Sequence, residues 1–289
     1  MAGGAHQGER GLPMRLRAGV VRAATVGTLA FVTALCMGPV VWQALTSVKP
    51  EADLLRLPPL LPDTLTASHF EAVLARSTLV RALANSFAVA VSSSALAIAL
   101  GGLCAFALAR LPIRGKAVIL GLVLVTSMFP PIAVISPLYL LVRALGLRDT
   151  LGALILTHTT YALPLAIWIL TGFFRQLPGE LYWAARLDGC GPLRALFSVL
   201  VPPALPGLAV AALLVFIYSW NEFMFALTLT ASEASRTAPV AIALFPGLHE
   251  VPWGDMAAAS LLVTVPVLLL ALFFQRHIVA GLTVGSVKG

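Results

Sequence analysis

Charge is scarce in this chain. Of its 289 residues, 11% are Asp, Glu, Lys or Arg, against roughly 25% in an average soluble domain, while 59% are apolar. That balance excludes a soluble globular enzyme. It excludes a disordered chain as well, because a sequence so rich in Leu, Ala and Val buries itself or dissolves in lipid. Cysteine is nearly missing: Cys36, Cys104 and Cys190 are too few and too scattered for a disulfide framework or a metal site of paired spacing, and they read as small apolar residues. Also lacking is a G-x-x-x-x-G-K-[ST] phosphate loop, so any use of ATP belongs to another chain. Neither HExxH nor GxSxG occurs, and no residue is assigned a catalytic or metal-binding role.

What is present is long apolar runs. Segments free of Asp, Glu, Lys and Arg extend over 23–48, 82–109, 117–142, 150–174, 195–221 and 256–275. Each reaches about 20 residues, enough to cross a hydrocarbon core of about 30 Å as a helix. Backbone polar groups in lipid must pair internally, and runs of this length do so as helices rather than as barrel strands of about ten residues. The expected fold is all-α, a polytopic membrane protein with six transmembrane helices. Lys and Arg orient it: with the N-terminus inside, twelve of the 19 fall on the inner side, including Arg110, Arg114, Lys116, Arg175, Arg186 and Arg194. Both termini are therefore expected in the cytoplasm. The formal charge of +7 reflects this topology, and with no clustered basic face no nucleic-acid partner is expected.

The organisation that follows is a cytoplasmic N-terminal segment, 1–22, a first transmembrane helix, 23–48, and an external connector, 49–81. A core of five transmembrane helices, 82–280, and a cytoplasmic tail, 281–289, complete it. The first run is too long for the apolar part of a signal peptide, about 7 to 15 residues, and is read as an uncleaved helix. The connector, with Pro50, Pro58, Pro59 and Pro62, is expected to hold one short helix near 69–81. In the second run Gly101, Ala105 and Ala109 recur every four residues, a stripe that lets a neighbouring helix approach closely. In the third, Pro130, Pro131 and Pro137 remove backbone donors in mid-membrane and should kink or break the helix. Pro164 and Pro266 should bend theirs more mildly. Broken backbone at that depth is tolerated where protein covers it or a cavity wets it, so a translocation path at Pro130 and Pro131 and a structural kink both fit.

The cytoplasmic loop 175–206 differs in kind from the others. Pro178 suits a helix's first turn, Glu180 suits the positive end of its dipole, and the run to Asp188 permits helix. Gly189 fits a left-handed C-terminal cap, and Pro192 can open the next helix. The product is a protruding elbow of two short helices, with Ala184 and Ala185 as a bare flank for a partner's groove and Arg186 and Asp188 to set orientation. An amphipathic helix lying on the bilayer is the alternative, but it would want a basic stripe that is absent here.

Within this loop Trp183-Ala184-Ala185, Gly189 and Val199-Leu200-Val201-Pro202 stand at the spacing of the EAA motif, and the chain resembles the permease subunits of bacterial ATP-binding-cassette sugar importers, carbohydrate branch. Trp183 replaces the motif's Glu. Asn85-Ser86, 107–116, 128–149, 220–230 and 275–289 also look like that branch, in the expected order. The resemblance implies a type I importer permease fold of the MetI-like kind in a bacterial plasma membrane. It implies a coupling helix presenting Glu180, Tyr182, Trp183, Ala184, Ala185, Arg186, Asp188 and Gly189 to an ATPase. The implied partners are a homologous second permease, two ATP-binding-cassette ATPase subunits that bind the ATP and Mg, an external substrate-binding protein or lipoprotein, the sugar and the surrounding lipid. This chain itself would need no cofactor.

For the path the candidates are Asn85, Pro130, Pro131, Tyr139, Tyr161, Trp220 and Asn221, since sugars favour aromatic faces and amide hydrogen bonds. The same side chains suit interhelical bonding equally. His158 is read as a satisfied interior histidine and Glu222 as a solvated or helix-bonded acid. The C-terminal match and the segment 238–245 lean toward di- or oligosaccharides, trehalose among them, and glycerol-phosphate importers share much of the pattern. A secondary transporter or channel working without ATP is the rival reading.

Overall fold

The computed structural model describes residues 14–54, 62, 64–75, 77–245 and 251–283. The expectations for the segment before residue 14, for Pro58 and Pro59, and for the tail from 284 lie outside those residues. Every regular element among the described residues is helical. In chain order they are α1 (Met14–Val48), α2 (Ser68–Ala75), α3 (Ser77–Arg110), α4 (Lys116–Ser127), α5 (Pro131–Ala144) and α6 (Leu151–Gln176). There follow α7 (Gly179–Leu187), α8 (Pro192–Trp220), α9 (Met224–Leu229), α10 (Ala238–Ala243) and α11 (Trp253–Thr283). A single turn, Glu51–Leu54, follows α1.

Five of these helices are long and apolar enough to span a bilayer, and α4 with α5 makes a sixth only as a pair bent by 87°. The third apolar run is therefore not one rod. Pro130 is extended, with ψ 127°, and Pro131 begins α5, because two successive prolines offer no N–H to the preceding turn and the first is held out of the helical region by the second. Pro137 lies inside α5 without ending it. Likewise α6 and α11 run on through Pro164 and Pro266.

The centre of the bundle is α3 against α6. A Cβ added to Gly101 would stand 3.0 Å from the Ala166 Cβ, and Ala97, Ala105, Ala162 and Ala166 are buried beside it. In lipid no hydrophobic force separates helix from surroundings, so close contact through small residues is what holds such a pair. Larger side chains fill the two ends. Phe106, Leu170, Phe174, Leu196 and Leu200 cluster at the end carrying α7, while Val89, Leu154, Phe225, Leu229 and Val240 cluster at the far end.

Polar anchors fix the far end. Asn85 donates through Nδ2 to the carbonyls of Ala234 and Arg236, 2.9 Å each, and Ser86 Oγ accepts from the Ala238 N–H at 2.8 Å. Asp149 accepts from the N–H groups of Ala231 (2.8 Å) and Ser232 (3.0 Å) and from the Ser235 hydroxyl. These donors hold its carboxyl well below the usual carboxylate range. His158, fully buried, bonds Ser219 Oγ at 2.7 Å and lies 3.1 Å from Glu222, whose carboxylate accepts from the N–H groups of Phe225 and Ala226 at the start of α9. His158 is thus the satisfied interior histidine, and Glu222 the helix-bonded acid, that the sequence suggests. A third knot joins the first helix to the last: His69 Nδ1 meets Asp255 at 2.7 Å and Nε2 meets the Lys49 carbonyl at 3.0 Å.

Candidate coupling elbow and solute path

The elbow is built as a stop followed by a restart. Pro178 is extended (ψ 133°) and precedes the first helical residue, Gly179. The helix ends in a left-handed cap: Gly189 has φ +82°, its N–H reaches the Arg186 carbonyl at 3.2 Å, and the Cys190 N–H reaches the Ala185 carbonyl at 2.9 Å. That pair of bonds is the Schellman arrangement, which favours glycine because a Cβ costs roughly 1–2 kcal/mol in this conformation. Arg186 tightens the same turn by donating to the Cys190 carbonyl at 2.8 Å. The second helix is not a separate piece, as the sequence suggests, but continues as α8 through a π-turn at Leu196–Leu200. Pro202 and Pro203 come next and cannot donate to the carbonyls behind them, which leaves the ladder loosened there.

The faces of α7 are unequal. Tyr182 and Ala185, each 4% exposed, are turned into the bundle, where the Tyr182 ring meets Phe106 edge-on at 5.8 Å between centroids. Both stand among the residues expected to meet an ATPase. Their burial gives them a different place, as the root that fixes the elbow to α3, α6 and α8. The outward surface holds Glu180, Trp183, Ala184, Arg186, Asp188 and Gly189. It also holds residues that sequence reasoning missed: Leu187 is 89% exposed, and Leu193 and Phe197 about 60%. Arg110, at the end of α3, donates to the carbonyls of Phe174 and Leu177, clamping the exit of α6 just before the elbow.

Two cavities open along one face of α6. The one nearer the far end, about 280 Å³, is lined by Ser127, Phe129, Pro131, Tyr161, Trp168 and Tyr218 among others. The one nearer the elbow, about 510 Å³, is lined by Trp168, Thr171, Arg175 and Gln176 together with apolar residues of α4 and α8. The helix break at Pro130 and Pro131 thus borders a cavity, one of the two settings in which broken backbone is tolerated at depth.

Of the expected path residues, Pro131 and Tyr161 line the first cavity, and Pro130 is exposed at the break. The others do not line either. Asn85 spends its amide on the far-end loop, and Trp220, 3% exposed, stacks on Phe216 at 5.5 Å. Asn221 bonds its own helix at the Ile217 carbonyl, 2.9 Å away. Tyr139 packs in the far-end cluster under the Arg148 guanidinium, 5.7 Å from its ring. Asn85, Trp220 and Tyr139 serve as interhelical and loop anchors, whereas Asn221 caps the end of its own helix. The signal that could have found Trp168 and Arg175 is their spacing: with Tyr161 they fall seven residues apart, on one face of a helix.

Residues 74–284 match the family described as binding-protein-dependent transport system inner membrane component. Among curated relatives, the trehalose transport system permease protein SugB of Mycobacterium tuberculosis is 44% identical over 253 residues, covering 87% of this chain and 92% of that protein. The trehalose/maltose transport system permease protein MalG of Thermococcus litoralis is 38% identical, covering 88% and 92%. The sulfoquinovosyl glycerol transport system permease protein SmoH of Agrobacterium fabrum is 40% identical, covering 87% and 88%. A solved bacterial ABC transporter involved in the import of the acidic polysaccharide alginate superposes with a TM-score of 0.76 at 22% identity, over 92% of this chain and 98% of its own, and shares the fold. The elbow, the broken span and these matches agree: the chain belongs to the binding-protein-dependent inner membrane transport family, as a permease subunit of an ATP-binding-cassette importer rather than an enzyme.

Proposed function

We propose that the chain is one of two homologous permeases in a sugar importer for di- or oligosaccharides, trehalose among them, with the elbow facing the cytoplasm. Two ATPase subunits, which bind the ATP and Mg, seat against the elbow, and an external substrate-binding protein or lipoprotein delivers the sugar at the far end. The observation that carries this reading is the elbow itself: a short helix rooted by Tyr182 and Ala185 that leaves Trp183 58% and Leu187 89% exposed beyond the bundle. Contiguous exposed apolar side chains rimmed by charge mark a surface for a protein partner. Glu180, Arg186 and Asp188 supply that rim.

Closure of the ATPases then moves the rooted helix and, through Phe106, Leu170 and Phe174, the spans behind it as rigid bodies. ATP-bound ATPase must favour one arrangement of the spans over the other, since a ligand without differential affinity shifts nothing. The test is crosslinking from Ala184→Cys and Leu187→Cys to the ATPase in the intact assembly, with Ala185→Cys as the buried control. Products from the first two and none from the third are expected. Absence of any ATPase product, or uptake at full rate by a preparation free of ATPase, would sink the reading in favour of an ATP-independent transporter.

A further inference from the structure

Trp168 occupies an unusual place. It lies eight residues before the end of α6, about 12 Å along the axis at 1.5 Å per residue, within the apolar run 150–174. It is 54% exposed. Among the described residues only Trp168 and its neighbour one turn back, Leu165, line both cavities, so the indole stands at the joint between them.

The character of the walls separates these chambers from lipid-filled space. A third cavity, about 370 Å³ between α3, α8 and α11, is almost wholly apolar, with Phe87, Val91, Leu213, Leu270 and Phe274 in its lining; it suits an acyl chain. The two on α6 instead combine aromatic faces with polar tips: Tyr161, Tyr218 and Ser127 on one side of Trp168, Arg175 and Gln176 on the other. Among the described residues no carboxylate lines either chamber, which disfavours a cationic solute. A saccharide has what such walls complement, an apolar C–H face for an aromatic ring and a rim of hydroxyls for nearby polar groups.

We propose that Trp168 is the platform on which a saccharide ring stacks as it passes from the outer to the inner chamber of this subunit's wall. The inference rests on the sugar-importer reading above. It makes Trp168 a residue that binds solute in transit, distinct from the anchors Trp220 and Asn85.

The experiment uses the complete assembly in proteoliposomes with its binding protein and ATP, with labelled trehalose and maltose as probes. For Trp168→Ala, uptake should fall at least tenfold while ATP hydrolysis stimulated by the binding protein stays within twofold; Trp168→Phe, which keeps a ring, should retain uptake within threefold. Wild-type uptake in Trp168→Ala overturns the proposal. So does a parallel loss of uptake and hydrolysis in both variants, which would make the indole a packing residue. If wild-type vesicles hydrolyse ATP but take up neither sugar, the saccharide reading itself fails, and this site with it, a result distinguishable because it precedes any substitution.

Discussion

Single residues here divide sharply between those that hold the fold and those that face outward. Gly189 is the clearest case, because its φ of +82° is a conformation that a β-branched side chain resists. Gly189→Val should weaken the elbow by about 1–2 kcal/mol and separate ATP hydrolysis from uptake; vesicles in which both rates keep their ratio would contradict this. Asn85→Ala removes both bonds from α3 to the carbonyls of Ala234 and Arg236 and should lower stability by about 1–3 kcal/mol, read as melting temperature in detergent, with the apparent sugar affinity of the folded fraction unchanged. Asp149 brings pH into the picture. Its carboxyl is held low by Ser232, Ser235 and Ala231, so its stabilising contribution is complete above its unfolded value of about 4 and is lost as pH falls below that. The melting gap between wild type and Asp149→Asn should be constant from pH 8 to 5 and narrow only in stronger acid; a gap that narrows near pH 6.5 would point to another group.

At the scale of elements, composition identified the spans and the breakers identified their interruptions. Pro130-Pro131 marked the break between α4 and α5, and Gly189 marked the stop of α7, because both residue types act through local backbone geometry that needs no neighbour. What could not be read was the bend of 87° or which face of α7 turns inward. Tyr182 and Ala185 are buried because α7 folds back on the start of α8 and on Phe106, and Leu187 is exposed on the opposite face. Neither fact has a local cause. Tyr182→Ala should therefore act from inside: loss of its ring from the contact with Phe106 should destabilise by about 3–5 kcal/mol, the range for large aromatic truncations. ATPase copurification would fall with it, and Phe at 182 should restore it. Retained stability with lost copurification would instead place the ring at the ATPase.

For the molecule as a whole, fold class and family were legible, since apolar runs, Lys and Arg asymmetry and ordered motifs all survive without coordinates. The path was legible only in part. Asn85 and Trp220 have the chemistry of sugar contacts but are spent on neighbouring elements, and partner identity is a long-range property that spacing does not encode. Orientation is open to a direct check: Ala234→Cys should react with an impermeant thiol reagent in intact cells, and Ile113→Cys, exposed in the loop between α3 and α4, only after permeabilisation. The reverse pattern would invert the topology.

The knot of His69, Asp255 and the Lys49 carbonyl also has a consequence in time. Its acid lies 186 positions after its imidazole, so during synthesis the ribosome must thread every intervening span before the two can meet. The opening helix of a nascent chain consequently waits, inserted but unfastened, until the closing one arrives. Chains halted short of residue 255 should be the ones that membrane quality control removes fastest.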